Sequence, residues 1–198
     1  MRIIDFIFRS TATLCLCAVI TGCVAASSNN NLEELETPAL SEAGAVTLPR
    51  VELADLEGKE YVFPKDLPNK YNFFIFGFAH EQKELTQTWI DPVLEMQKTQ
   101  TELSVFKVPV IDKKNAAIRT MIRNGMRTGI SGSAARQRTL TMFVDKDLFV
   151  KAIGQKDDTQ PVAIVFDQTG KVLWQAVGAA DSAKLSELSS FLGQSATH

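Results

Sequence analysis

Residues Tyr71–Trp89 read YNFFIFGFAHEQKELTQTW, and the order of chemistry along this stretch decides the fold. Asn72–Phe78 is an almost unbroken apolar run closed by Gly77-Phe78-Ala79. Such a run reads as a strand buried on both faces, as at the centre of a helix-covered sheet. A polar turn, His80-Glu81-Gln82-Lys83, comes next. A helical pattern then begins, with Leu85, Trp89 and Val93 four apart and Ile90 and Leu94 beside them. Central strand, tight turn and amphipathic helix together place a functional crevice beyond the carboxyl end of the strand. That position holds no cysteine, no glycine-rich loop and no evident nucleophile.

Upstream, Arg2 and Arg9 flank the apolar stretch Ala12–Ile20, which is too short to span a membrane as a helix by itself. It ends in Ile20-Thr21-Gly22-Cys23, which resembles the bacterial lipobox. The resemblance implies a signal peptide over 1–22, removed on processing, and an acylated N-terminus at Cys23. Removing Met1–Gly22 from the 198 residues leaves 176, a single-domain length. Cys15 and Cys17 then leave with the signal, and Cys23 is consumed by the lipid. The mature chain is expected to have no free thiol, hence no disulfide, no thiolate metal site and no cysteine nucleophile. A lipid-anchored, periplasm-facing envelope protein follows. Val24, in place of an aspartate after the cysteine, favours the outer over the inner membrane in a Gram-negative cell.

Residues 23–46 read as the lipidated end and a flexible linker. Ala-Ala-Ser-Ser-Asn-Asn-Asn has no periodicity, and Glu33, Glu34, Glu36 and Glu42 add charge. The net charge of −2 gives no sign of nucleic acid as a partner.

The domain is expected over 47–194. Val51 and Leu53 alternate with polar residues, Asp55–Lys59 turns, and Tyr61–Phe63 returns, forming a β-hairpin. After the central strand, a helix over Glu84–Gln100 contains Pro92, which predicts a kink near Thr88. Trp89 and Met96 read as core. Ser104–Ile111 is a strand in which Pro109 argues for a place near the end or at an edge. Asn115–Met126 is a short helix with Ile118, Met121, Ile122 and Met126 inward. Thr139–Val144 is a strand, and Leu148–Ile153 a short helix closed by Gly154. Pro161–Asp167 and Lys171–Val177 pair as a hairpin around Gln168-Thr169-Gly170. A last helix, capped by Asp181 or Ser182, buries Leu185, Leu188, Phe191 and Leu192.

This order, with Phe76-Gly77-Phe78-Ala79-His80 and PVAIVFDQTGKVLWQAVG at 161–178, resembles the thioredoxin-like fold with an N-terminal hairpin seen in redoxin and Sco-type proteins. The resemblance implies an α/β domain with a central mixed sheet flanked by helices. The chain departs where the Sco pattern places its two cysteines. Glu81 and Leu85 stand there, so redox activity and a copper site are not implied. Pro161 matches the residue that is cis in thioredoxins, so Gln160–Pro161 is expected to be cis. Trp89-Ile90-Asp91-Pro92 and Asp167–Trp174 also resemble the thioredoxin-like mitochondrial ATP-synthase assembly factor and its bacterial relatives, which lack the cysteines. That resemblance implies an assembly or chaperone-like role without catalysis.

Two surfaces are candidates for function. One is the vestigial crevice of His80, Glu81, Leu85, Gln160 and Pro161. A histidine beside a carboxylate suits acid–base work or a metal, but a single histidine is no metal site. No cofactor or metal is expected. The other surface is basic. Lys113–Arg138 holds Lys113, Lys114, Arg119, Arg123, Arg127, Arg136 and Arg138 and no acidic residue. Arg119, Arg123 and Arg127 fall on one helical row, where like charges repel unless a partner answers them. The row reads either as a solvated face or as a docking surface for an acidic protein, anionic lipid or polysaccharide, with acidic residues from 33–60 as internal candidates. The favoured expectation is a non-catalytic envelope lipoprotein that binds and helps assemble another envelope protein. The alternative is a periplasmic protein that binds a small ligand or a copper-type metal in the crevice.

Overall fold

The computed structural model of the chain describes Leu48 and residues 50–195. The readings on the signal peptide, Cys23 and the linker lie outside the described residues. No helix among the described residues is long and apolar enough to cross a membrane.

The apolar run becomes β3 (Tyr71–Gly77), whose first six residues are all buried. It lies in a seven-stranded mixed sheet of order β2-β1-β5-β4-β3-β6-β7, with β1 Val51–Asp55, β2 Glu60–Phe63, β4 Leu103–Asp112, β5 Leu140–Val144, β6 Val162–Phe166 and β7 Val172–Val177. β3 runs parallel to β4, with Phe73 opposite Val105, and antiparallel to β6, with Phe74 opposite Ile164. The β1–β2 hairpin extends the sheet by antiparallel pairing of β1 with β5.

Alternation along β3 builds two cores. Phe74 and Phe76 face a cluster that includes Phe63, Phe106, Phe149 and Phe166. Phe74 stacks edge-on with Phe63, Phe106 and Phe166, with ring centres 5.2–5.8 Å apart. Phe73 and Ile75 face the other cluster, built with α1 (Lys83–Thr99) and α5 (Ser182–Ser195). There Trp89 and Trp174 meet edge to face at 5.8 Å. The indole N–H of Trp89 donates to the Gly178 carbonyl at 2.9 Å, and that of Trp174 to Glu187. Both tryptophans are therefore core, and each polar edge has its acceptor. Met96 is partly buried at the margin. α1 continues without interruption through Pro92.

Local chemistry accounts for the turns. Asp55 is buried and its carboxylate accepts from the N–H groups of Glu57 and Lys59, closing the first hairpin. Asp167 does the same for Thr169 and Lys171 in the second. Gly170 has φ +83°, and a Cβ there would stand 2.9 Å from Pro64. Asp145 caps the short α4 (Lys146–Ala152) by accepting from Leu148 N–H, and Asp181 caps α5 through Lys184 N–H.

Two expectations need correction. Pro109 is not at an edge, because β4 lies between β5 and β3. Lys107 pairs with Thr139 and Val110 with Met142 in one register, and the β4–β5 ladder lapses between them, where Pro109 has no N–H to give. The second correction concerns the helix after β4. It runs further than expected, as α2 (Ala116–Gly129), and is followed by an unforeseen turn of helix, α3 (Ser133–Gln137). Asn115 caps α2 as placed, but no residue of α2 is buried. Ile118 is 37% exposed and Met121 67% exposed. Of the apolar row expected to face inward, Ile118 and Met121 are exposed, while Ile122 and Met126 are half-buried beside Arg119 and Arg123. The sheet surface under α2 offers a phenylalanine ring and the nearby turn a carboxylate, and the arginines take these instead.

Candidate functional site

The carboxyl end of β3 leads into a 3-10 turn, His80–Gln82, and then α1. The strand and helix approach closely at Gly77, where a Cβ would stand 3.1 Å from the Thr86 methyl. A side chain at 77 would press on that methyl, which would have to give by a few tenths of an ångström. Phe78 then turns into the core, 5% exposed and against Phe149.

Of the crevice residues read from the sequence, His80, Glu81 and Gln160 are exposed, Leu85 is half-buried and Pro161 is buried. Sequence reasoning missed Gln82. Its side chain is 5% exposed and spans the crevice. The amide oxygen accepts from Phe78 N–H at 2.9 Å, and the amide nitrogen donates to the Asp158 carbonyl at 2.7 Å. One side chain thus fastens the turn before α1 to the loop before β6. The loop has further ties. Lys146 at the start of α4 pairs with the Asp158 carboxylate, which raises the Lys146 ammonium pKa against the effect of burial. Thr159 donates from hydroxyl and backbone to Asp157, and these bonds hold that carboxyl below its ordinary value.

Pro161 anchors the far wall. Its carbonyl accepts from Gly178 N–H at 2.8 Å, and the Gly178 carbonyl takes the Trp89 indole. Gly178 holds φ +87°, which favours glycine. The bond Gln160–Pro161 is trans, contrary to expectation, whereas Phe63–Pro64 is cis. An X–Pro bond prefers trans by about 0.5–1 kcal/mol unless its surroundings impose the other form. Here the loop is positioned through Gln82, Lys146 and Gly178 instead.

Among the described residues no three of His, Cys, Asp and Glu come together as a metal site. Lys107, on the sheet beside the start of α1, has its ammonium pKa pushed down by burial and then by Lys83, with Glu84 opposing.

The basic stretch is folded against the sheet. The guanidiniums of Arg119 and Arg123 lie 5.4 and 5.9 Å from the centre of the Phe143 ring. Arg119 also donates to the Lys114 carbonyl, while Arg123 Nε is buried without a hydrogen-bond partner. Arg127 and Arg136 converge on Glu57 in the first hairpin turn, at 3.3 and 2.6 Å. The Arg136 bond holds the Glu57 carboxyl below its ordinary value, with Arg127 adding to it and burial opposing. The acidic counterpart expected from 33–60 is therefore Glu57. Arg138 is half-exposed and, with Lys113 and Lys114, forms no ion pair among the described residues.

No described protein family matches the chain, and no curated protein does. Solved structures do. A candidate electron transfer protein from Aquifex aeolicus VF5 is similar at a TM-score of 0.52 and 15% identity, over 75% of this chain and 95% of that one. BsSco, a member of the Sco family of cytochrome c oxidase assembly proteins, is similar at 0.52 and 13%, over 77% and 95%. The fold is thioredoxin-like. Its helix α2 is the element that the basic stretch builds, and its crevice is the place that Gln82 closes.

Proposed function

We propose that the protein is a non-catalytic thioredoxin-like lipoprotein of the bacterial envelope that binds another envelope protein and assists its assembly. The observation that carries this reading is the Gln82 amide across the crevice. With Glu81 and Leu85 it occupies the turn where the resembled proteins hold two cysteines. A buried amide bonded to both walls fixes the rim and leaves no atom there to attack a disulfide. What remains outward is His80, Glu81 and Gln160, an ordered polar edge of the kind a protein surface can meet. The chain's three cysteines all lie at or before Cys23. BsSco belongs to a family described as assembly proteins, and assembly is the role carried over, without that family's client.

The test of the non-catalytic half is reduction of insulin disulfides by mature protein taken from the envelope. The expected rate equals that of the chemical reductant alone. An acceleration by the mature protein would overturn it, because Cys15 and Cys17 leave with the signal and Cys23 carries the lipid. The binding half predicts that a photoreactive group placed at Glu81 forms adducts with a defined envelope protein.

A further inference from the structure

We propose that the outward face of α2 docks on an anionic lipid surface. The inference goes beyond the binding role given above and stands on α2 by itself. The arginine row of α2 is turned to the body, over Phe143 and Glu57. The opposite side therefore carries Ala117, Ile118, Met121 and Gly125, all exposed and none charged. Ala117, Met121 and Gly125 are four apart, and Ile118 sits beside them, so they form one continuous strip along the helix. Among the described residues outside its own helical turns, nothing stands within 4 Å of where a Cβ on Gly125 would be.

Charge selects the occupant. At the start of α2, Lys113 and Lys114 are exposed and form no ion pair among the described residues. Residues 113–138 contain no acidic side chain to repel a negative surface. Of the nearby carboxylates, Asp158 is paired with Lys146, and Asp112 and Asp147 are exposed. An apolar strip with cationic groups at its end, lying along the outside of a domain, matches the boundary between lipid headgroups and acyl chains. Two large apolar side chains and two lysines bind weakly alone. They become effective when something else holds the protein at the membrane, since the second contact is then intramolecular.

The experiment uses the full chain with Cys15, Cys17 and Cys23 changed to Ser. An environment-sensitive fluorophore is attached at Met121→Cys or, as control, at Gln168→Cys in the exposed β6–β7 turn. Each is mixed with vesicles of phosphatidylcholine alone or with about one-third phosphatidylglycerol. The expected result is a blue shift and protection from acrylamide at 121 in anionic vesicles only, with none at 168. The affinity should fall by about tenfold or more in Lys113→Glu/Lys114→Glu. Because the probe reports its own position, attachment through the N-terminal apolar stretch does not mimic this result. The proposal is overturned if the probe at 121 stays aqueous in anionic vesicles, if neutral vesicles shift it equally, or if it is shielded only when envelope proteins are added.

Discussion

α1 and α2 both follow a strand, lie over the same face of the sheet and carry an apolar row, yet they meet the sheet differently. α1 puts Trp89, Ile90 and Val93 into the core. α2 puts Arg119 and Arg123 over Phe143, half-buries Ile122 and Met126, and leaves Ile118 and Met121 outside. The surface beneath each helix makes the difference. Under α1 lie Phe73, Ile75, Leu103 and Val105, all buried in one apolar cluster. Under α2 lies a strand whose outward residues are Thr141 and Phe143, beside a turn that presents Glu57. A ring face and a carboxylate are better partners for guanidinium than for isoleucine. Periodicity shows that a helix has two faces, and the receiving surface decides which one turns inward.

The contrast can be broken most forcefully at Trp89. Trp89→Ala removes a fully buried indole and its bond to Gly178, and should lower stability by about 3–5 kcal/mol in urea denaturation. A loss under about 1 kcal/mol would mean that α1 is not anchored as described. Next is Gln82→Leu, which keeps the volume and strands the Phe78 N–H without an acceptor. A loss of about 1–3 kcal/mol is expected, with faster amide exchange in the 155–160 loop.

Glu57→Gln comes third and acts on α2 alone. Amide exchange across 116–129 should rise while that of α1 stays constant. The wild-type protein gives the matching pH dependence. The Glu57 carboxyl lies below its ordinary 4.5 in the folded state, so its contribution is complete above that value. It is lost as the pH falls through the lower folded-state value, because the unfolded chain takes up the proton first. The acid-side fall in the urea midpoint should be shallower in Glu57→Gln than in wild type. Smallest of all is Met121→Ala, which should change stability by no more than about 0.5 kcal/mol. A loss near 2 kcal/mol would show that Met121 is packed against the body.

Much of the fold was legible because its signals are local. The apolar run of β3, the Asp-x-x-Gly hairpin at 167–170 and the helical spacing of Leu188 and Leu192 each depend on residues close in sequence. The signals that failed depend on remote partners. Gln82 reads as one more polar residue in a polar turn, and its second partner, Asp158, lies 76 residues away. The facing of α2 depends on Phe143 and on Glu57, both far from it in the chain. Pro109 argued for a place near the strand's end or at an edge because a missing N–H usually disqualifies an interior position. The sheet absorbs it by letting two residues of one ladder go unpaired.

The central claim is that a thioredoxin-like crevice has been kept as a surface for binding. The most direct measurement places a photo-cross-linking residue at Glu81 in the protein within its own envelope, with Gln168 as the control position. The account predicts adducts to one defined envelope protein from position 81, absent from 168 and unaffected by reducing agent. Absence of protein adducts at 81, or adducts that reducing agent dissolves, would contradict it.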